Sequence, residues 1–150
     1  MPMQLERLSR RMAGCGLALA LASFGLTVAA AETTHLAIKG YDPVAYFTSG
    51  RPTPGSPDIS YEWDGARWQF ADAAHRELFR SDPDAYAPQY GGYCAMGMTS
   101  GSQGETDPEV WAIVDGKLYL NFDRTAFQEW RRNQAANIAR ADFQWAKLKQ

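Results

Sequence analysis

Sulfur and imidazole are scarce in this chain: two cysteines, Cys15 and Cys94, and two histidines, His35 and His75, stand among 150 residues. That supply excludes a disulfide-stapled scaffold and a zinc site of the paired Cys-x-x-Cys type. Basic charge is short as well. The first 31 residues carry three of the 15 basic side chains and one of the 17 acidic ones, so the remainder holds 12 against 16. Such a balance gives no electrostatic footprint for nucleic acid or for an anionic membrane surface. There is no G-x-S-x-G elbow, no H-E-x-x-H pair and no Gly-rich phosphate loop between a strand and a helix. No period of 20–50 residues repeats and no low-complexity run interrupts the chain, which implies one compact domain.

The N-terminus has the order of an export signal. Arg7, Arg10 and Arg11 precede an uncharged Ala- and Leu-rich stretch from Met12 to Val28, and the small residues Ala29, Ala30 and Ala31 follow it. Cleavage is expected just before Glu32. That leaves residues 32–150 as a periplasmic or secreted domain with no stable membrane anchor, since the apolar stretch is at the lower edge of what spans a bilayer. Ser9-Arg10-Arg11 has the core of a twin-arginine signal but lacks the apolar residues that usually follow it, so the general and twin-arginine routes both stay open.

In the exported domain, Ile59–Trp63 and Arg67–Phe70 alternate around Asp64-Gly65, and Val110–Val114 and Leu118–Leu120 alternate around Asp115-Gly116. Each pattern predicts a β-hairpin. Asp42, Asp72 and Asp123 are placed to cap helices, Pro43 to open one, and Asn133 and Asn137 to mark a break between the last two. Ala74, Leu78 and Phe79 would form an apolar stripe. The fold class expected is α+β: a small antiparallel sheet of hairpins covered by several short helices.

Donors for chemistry concentrate at Cys94-Ala95-Met96-Gly97-Met98. An extended backbone there would point a thiol and two thioethers to one side, and such ligands suit Cu(I). His75 would add an imidazole if its helix packs nearby, while His35 reads as a solvated tail residue. The competing reading packs Cys94, Met96 and Met98 as small and adaptable core residues. Tyr41, Tyr46, Tyr90 and Tyr93 would then line a groove for a small ligand or a protein partner. A third reading gives Cys94 redox or acyl chemistry with His75 as its base.

Asp42-Pro43-Val44, the hairpin into Trp68-Gln69-Phe70, and the helix ending at Phe79 before Pro83-Asp84-Ala85-Tyr86 together resemble the YHS domain family. Tyr90-Gly91-Gly92-Tyr93-Cys94-Ala95, Asp107-Pro108, Trp111, Asp115 to Asn121, Ala141-Asp142 and Trp145 are similar to its exported bacterial subgroup. Domains of this family occur beside some copper-transporting ATPases and some monooxygenases. The resemblance implies metal ligands at three cysteine positions, which hold Ala45, Ala71 and His75 here. The implied metal role is therefore lost, or moved to His75 with Cys94, Met96 and Met98. The function expected is an exported, non-catalytic domain that binds or senses a soft metal such as copper, the alternative being a metal-free ligand or interaction module. Mass spectrometry of the protein recovered from the periplasm should give an N-terminus at Glu32; a product retaining Met1–Ala31 would remove the export reading.

Overall fold

The computed structural model describes residues 34–150; the export segment, its cleavage site and Cys15 lie outside the described residues. Residues Glu32–Gln150 fall in one compact unit. β1 (His35–Leu36) leads into a tight turn at Ala37–Gly40 and the short helix α1 (Ala45–Thr48). The first hairpin follows, β2 (Ser56–Trp63) and β3 (Ala66–Phe70), then α2 (Ala73–Ser81) and α3 (Pro83–Tyr86). A second tight turn at Gln89–Gly92 precedes α4 (Ala95–Met98), the hairpin β4 (Asp107–Val114) and β5 (Lys117–Asn121), α5 (Arg124–Arg132) and α6 (Gln134–Leu148). The fold is α+β. The hairpins do not merge into one antiparallel sheet, however. β1 adds to β3 in parallel to give a three-stranded sheet, and β4–β5 stands as its own two-stranded sheet. His35 is therefore an exposed strand residue paired opposite Ala66 rather than a free tail.

Local chemistry accounts for the turns and caps. Asp64 and Gly65 take φ of 48° and 73°, and Asp115 and Gly116 take 51° and 73°, the paired positive values of a type I′ hairpin turn. Asp72 Oδ1 accepts the His75 N–H and Asp123 Oδ1 accepts the Ala126 N–H, both at 2.8 Å. These satisfy N–H groups that the first turn of a helix leaves unpaired. Asn133 sits at the break between α5 and α6, whereas Asn137 lies inside α6 and donates to the Trp130 carbonyl at 2.9 Å, sealing the end of α5. On α2 only Phe79 is buried. Ala74 and Leu78 are exposed because the helix meets the sheet at its C-terminal end, where Phe79 enters a nest of Tyr61, Trp63, Trp68 and Phe70.

The domain is built twice. The second turn repeats the first, with successive positive φ at Ile38, Lys39 and Gly40 (39°, 52°, 80°) and at Tyr90, Gly91 and Gly92 (61°, 63°, 85°). β2 and β4 each have 8 residues, β3 and β5 each 5, and α2 and α5 each 9. Both hairpins slip register at the same place, between Ser56 and Ser60 and between Asp107 and Trp111. Even the ring pairs correspond: Trp68 meets Phe79 at 5.0 Å and 34°, Tyr119 meets Trp130 at 5.2 Å and 39°. Equivalent residues lie about 51 or 52 positions apart.

Strand β5 divides the interior. Leu118 and Leu120 join the cluster of Val44, Tyr46, Trp68, Phe70 and Phe79, while Tyr119 between them joins Tyr90, Ala95, Met98, Trp130 and Ala141. This is the two-residue alternation of a strand buried on both faces. Three core phenols are held neutral. Burial pushes Tyr46 and Tyr90 above the ordinary tyrosine range, with the Glu109 carboxylate adding at Tyr46 and a hydrogen bond to Asp142 adding at Tyr90. Burial, helped by Asp142 and Asp115, pushes Tyr119 up to about 12. A folded value above the unfolded one stabilises the fold fully below the unfolded pKa of 10.0 and less as pH climbs past it. Urea unfolding should therefore weaken above pH ~10 by up to about 1.4 kcal/mol per pH unit for each such tyrosine. Tyr46→Phe should make the decline shallower; an unchanged slope would remove Tyr46 from this account.

Candidate functional site

Asp42 is wholly buried, and its carboxylate is met by four donors. Oδ1 accepts the Val44 and Ala45 N–H groups at 2.8 and 3.3 Å, and Oδ2 accepts the Ala71 N–H at 2.9 Å and pairs with His75 Nδ1 at 2.6 Å. The carboxylate thus ties the start of α1, the exit of β3 and the face of α2 together. Thr48 Oγ1 lies 3.1 Å from His75 Nε2. Asp42, His75 and Thr48 have the order of an acid–imidazole–hydroxyl relay. The helix consumes the N–H groups beside that hydroxyl, Thr48 donating to the Val44 carbonyl and Ser49 to that of Ala45. The Thr48 hydroxyl also donates to the Val44 carbonyl, at 3.2 Å, so the arrangement ties α1 and the imidazole to the carboxylate as a lock on the fold.

Cys94 occupies the place in the second half that Asp42 has in the first. Its Sγ accepts the Phe122 N–H at 3.3 Å and the Gly97 N–H at 3.5 Å. Phe122 is the equivalent of Ala71, and Gly97 of Ala45. Sγ also lies 3.7 Å from Asn121 Oδ1, which accepts the Met96 N–H at 3.1 Å. Asn121 is wholly buried, and its Nδ2 has no partner. The extended backbone expected for 94–98 is replaced by α4, because Sγ captures the Gly97 N–H and the Cys94 carbonyl accepts from Met98 at 2.9 Å. The three sulfur atoms therefore do not share one side of a strand. Met98 is fully enclosed in the second core cluster and Met96 packs partly buried against it.

Cys94 and His75 are each held by partners of their own. Both ring nitrogens of His75 are engaged by Asp42 and Thr48, Cys94 is engaged by Asn121, Gly97 and Phe122, and the two sets have no residue in common. Among the described residues no three His, Cys, Asp or Glu side chains gather as a metal would require.

The tyrosine groove is realised only in part, and elsewhere than four converging tyrosines would place it. Tyr46 is a core residue whose hydroxyl donates to the Pro108 carbonyl at 2.9 Å, and Tyr41 packs against the first core cluster. Tyr90 and Tyr93 instead line a cleft of about 540 Å³ with Trp63, Trp68 and Trp145. One side comes from the first hairpin, the other from the second tight turn and α6. Trp145 stands 6.3 Å from the Tyr90 ring and 6.4 Å from that of Tyr93. The Tyr90 hydroxyl is turned to Asp142 at 2.8 Å. At the rim, Lys149 Nζ bridges to Asp64 Oδ2 at 3.2 Å and lies 5.1 Å from the centre of the Trp145 ring. The sequence reads the tryptophans first as core bulk and second as a carbohydrate or ligand platform; which of them share a cleft was not legible, because hairpin tip and C-terminal helix are far apart in the chain.

No family model matches the chain, and no curated protein or solved structure matches it at a significant level.

The Asp42 lock has a measurable weight. Asp42→Ala would strand three N–H groups and an imidazole, at a cost of about 3 kcal/mol or more in urea unfolding. His75→Ala, which leaves the carboxylate its three backbone donors, should cost about half as much. Equal losses in the two variants would contradict the central place given to the carboxylate.

Proposed function

We propose that this is an exported YHS-like domain that binds a small, partly apolar organic ligand in the cleft between its two halves. The observation that carries this reading is the convergence of Trp63, Trp68, Tyr90, Tyr93 and Trp145 on one open volume of about 540 Å³, with Lys149 and Asp64 at its rim. Sites for small molecules have this size, and this wall sets the aromatic faces beside Asp64, Asp84, Gln89 and Lys149, polar groups that would orient a guest. Cys94 and His75 are each engaged by other partners, and the ligand reading needs neither. A planar ring carrying an anionic group fits best: the ring stacks on Trp145 and the anion draws Lys149 from Asp64.

Anilinonaphthalene sulfonate is a suitable probe, having fused rings and one negative charge. Titration of the exported domain should show saturable binding that quenches tryptophan emission. Trp145→Ala should weaken it about tenfold, as expected for the loss of one stacking ring. Phe143→Ala, on an exposed face of α6, should leave it unchanged. Equal affinity in the Trp145 variant, or dye uptake that never saturates, would count against the cleft.

A further inference from the structure

The duplicated architecture places two cradles of the same construction in one domain, and they hold different side chains. In the first, the N–H groups of Val44, Ala45 and Ala71 surround the two oxygens of Asp42, and His75 Nδ1 completes the set. In the second, the N–H groups of Met96, Gly97 and Phe122 stand at the equivalent positions around Cys94. A thiol has one acceptor atom where a carboxylate has two. Sγ therefore takes only the Gly97 and Phe122 donors, and the Met96 N–H goes to Asn121.

Asn121 is the anomaly. Its equivalent in the first half is Phe70, a core side chain, so the fold accepts an apolar residue at this point of the strand. A buried amide there costs free energy unless both of its ends are paired. The Met96 N–H identifies the end facing it as the oxygen, which leaves Nδ2 as the end without a partner. The amide that carries this orphan donor is the group that touches Sγ. Gly97 and Gly104 flank the Cys94 β-carbon, and a β-carbon added at either would stand in ordinary contact with it, at 3.6 and 3.7 Å. Neither glycine is required by a positive φ.

We infer that Cys94 is a site of oxidation to a sulfinate, and that its cradle is built to hold that two-oxygen anion as the first cradle holds the Asp42 carboxylate. The oxidant is a hydroperoxide, of which hydrogen peroxide is the simplest. Sulfur attacks one peroxide oxygen, the O–O bond breaks as the S–O bond forms, and the departing hydroxide takes the thiol proton to leave as water. Sulfur loses two electrons and the peroxide gains them. A second equivalent repeats the exchange to give the sulfinic acid, which ionises, one more water leaving. Cys94 is the sole free cysteine among the described residues, so the intermediate sulfenic acid has no thiol beside it to divert it into a disulfide. The sulfinate oxygens then take the Gly97 and Phe122 N–H groups; with the thiol proton gone from the contact to Oδ1, the Asn121 amide turns over, so that Nδ2 takes the role His75 Nδ1 has at Asp42 and the Met96 N–H passes to the sulfinate as that of Val44 goes to Asp42.

The test is peroxide treatment of the folded exported protein, read by fragmentation of the peptide carrying Cys94 so that oxygen on Met96 or Met98 is counted separately. Cys94 should gain two oxygen atoms and stop there, while the urea-unfolded chain runs on to three. A native thiol that stays reduced where the unfolded chain oxidises, or that passes to three oxygens at the unfolded rate, would overturn the proposal. Two variants test the cradle itself. Asn121→Ala should lose the plateau at two oxygens; a plateau kept in that variant would deny the amide its role. Cys94→Asp, which installs the anion directly, should melt at or above the temperature of Cys94→Ser, and a clearly lower melting point would show that the cradle does not take two oxygens.

Discussion

A carboxylate removed from water must find its hydrogen-bond donors within the protein or give up its charge, and the fold of this domain is arranged around one that does find them. Asp42 takes donors from the first turn of α1, which follows it directly, and from the residue after β3 and a side chain of α2, which lie 29 and 33 residues further on. No apolar residue could make that junction, since the N–H groups of Val44, Ala45 and Ala71 would then be buried without acceptors. Packing against Phe79, Trp68 and Phe70 supplies bulk to the same core, but it does not dictate the angle at which α1 leaves the turn. The carboxylate does.

The second half keeps the backbone of this junction and changes its chemistry. Cys94 stands in for Asp42, Ala126 for His75 and Asn121 for Phe70. The donors survive the exchange because they belong to the main chain, whose course is set by the tight turns and hairpins on either side. Side chains are then free to diverge, and one half keeps a carboxylate where the other holds a thiol. The cleft has the same origin, for it opens along the seam where the first hairpin faces the second turn and α6.

What could be read from the sequence was whatever is decided within a few residues. The Asp-Gly turns, the caps at Asp42, Asp72 and Asp123, and the break at Asn133 all depend on contacts between near neighbours, and each stands where the residues put it. The α+β class follows from them. The duplication was hidden because it lives in backbone angles: Ile38-Lys39-Gly40 and Tyr90-Gly91-Gly92 share a conformation and only one residue type in register. A faint signal was present, for each hairpin glycine is followed seven positions later by a capping aspartate, Gly65 by Asp72 and Gly116 by Asp123. The α4 segment misled because its capping acceptor is a sulfur, a residue type seldom weighed for that duty. His75 was legible as a polar side chain on a helix, but not as the partner of a carboxylate 33 residues before it.

The alternation along β5 bears on how the molecule comes apart. Leu118 and Leu120 complete a core whose other members are mostly in the first half, and Tyr119 completes the core of the second. Neither half owns a whole interior, although each owns a whole set of secondary structure. Pulling this strand out empties both cores in a single event, so a domain built twice comes apart as one cooperative object rather than as two beads on a string.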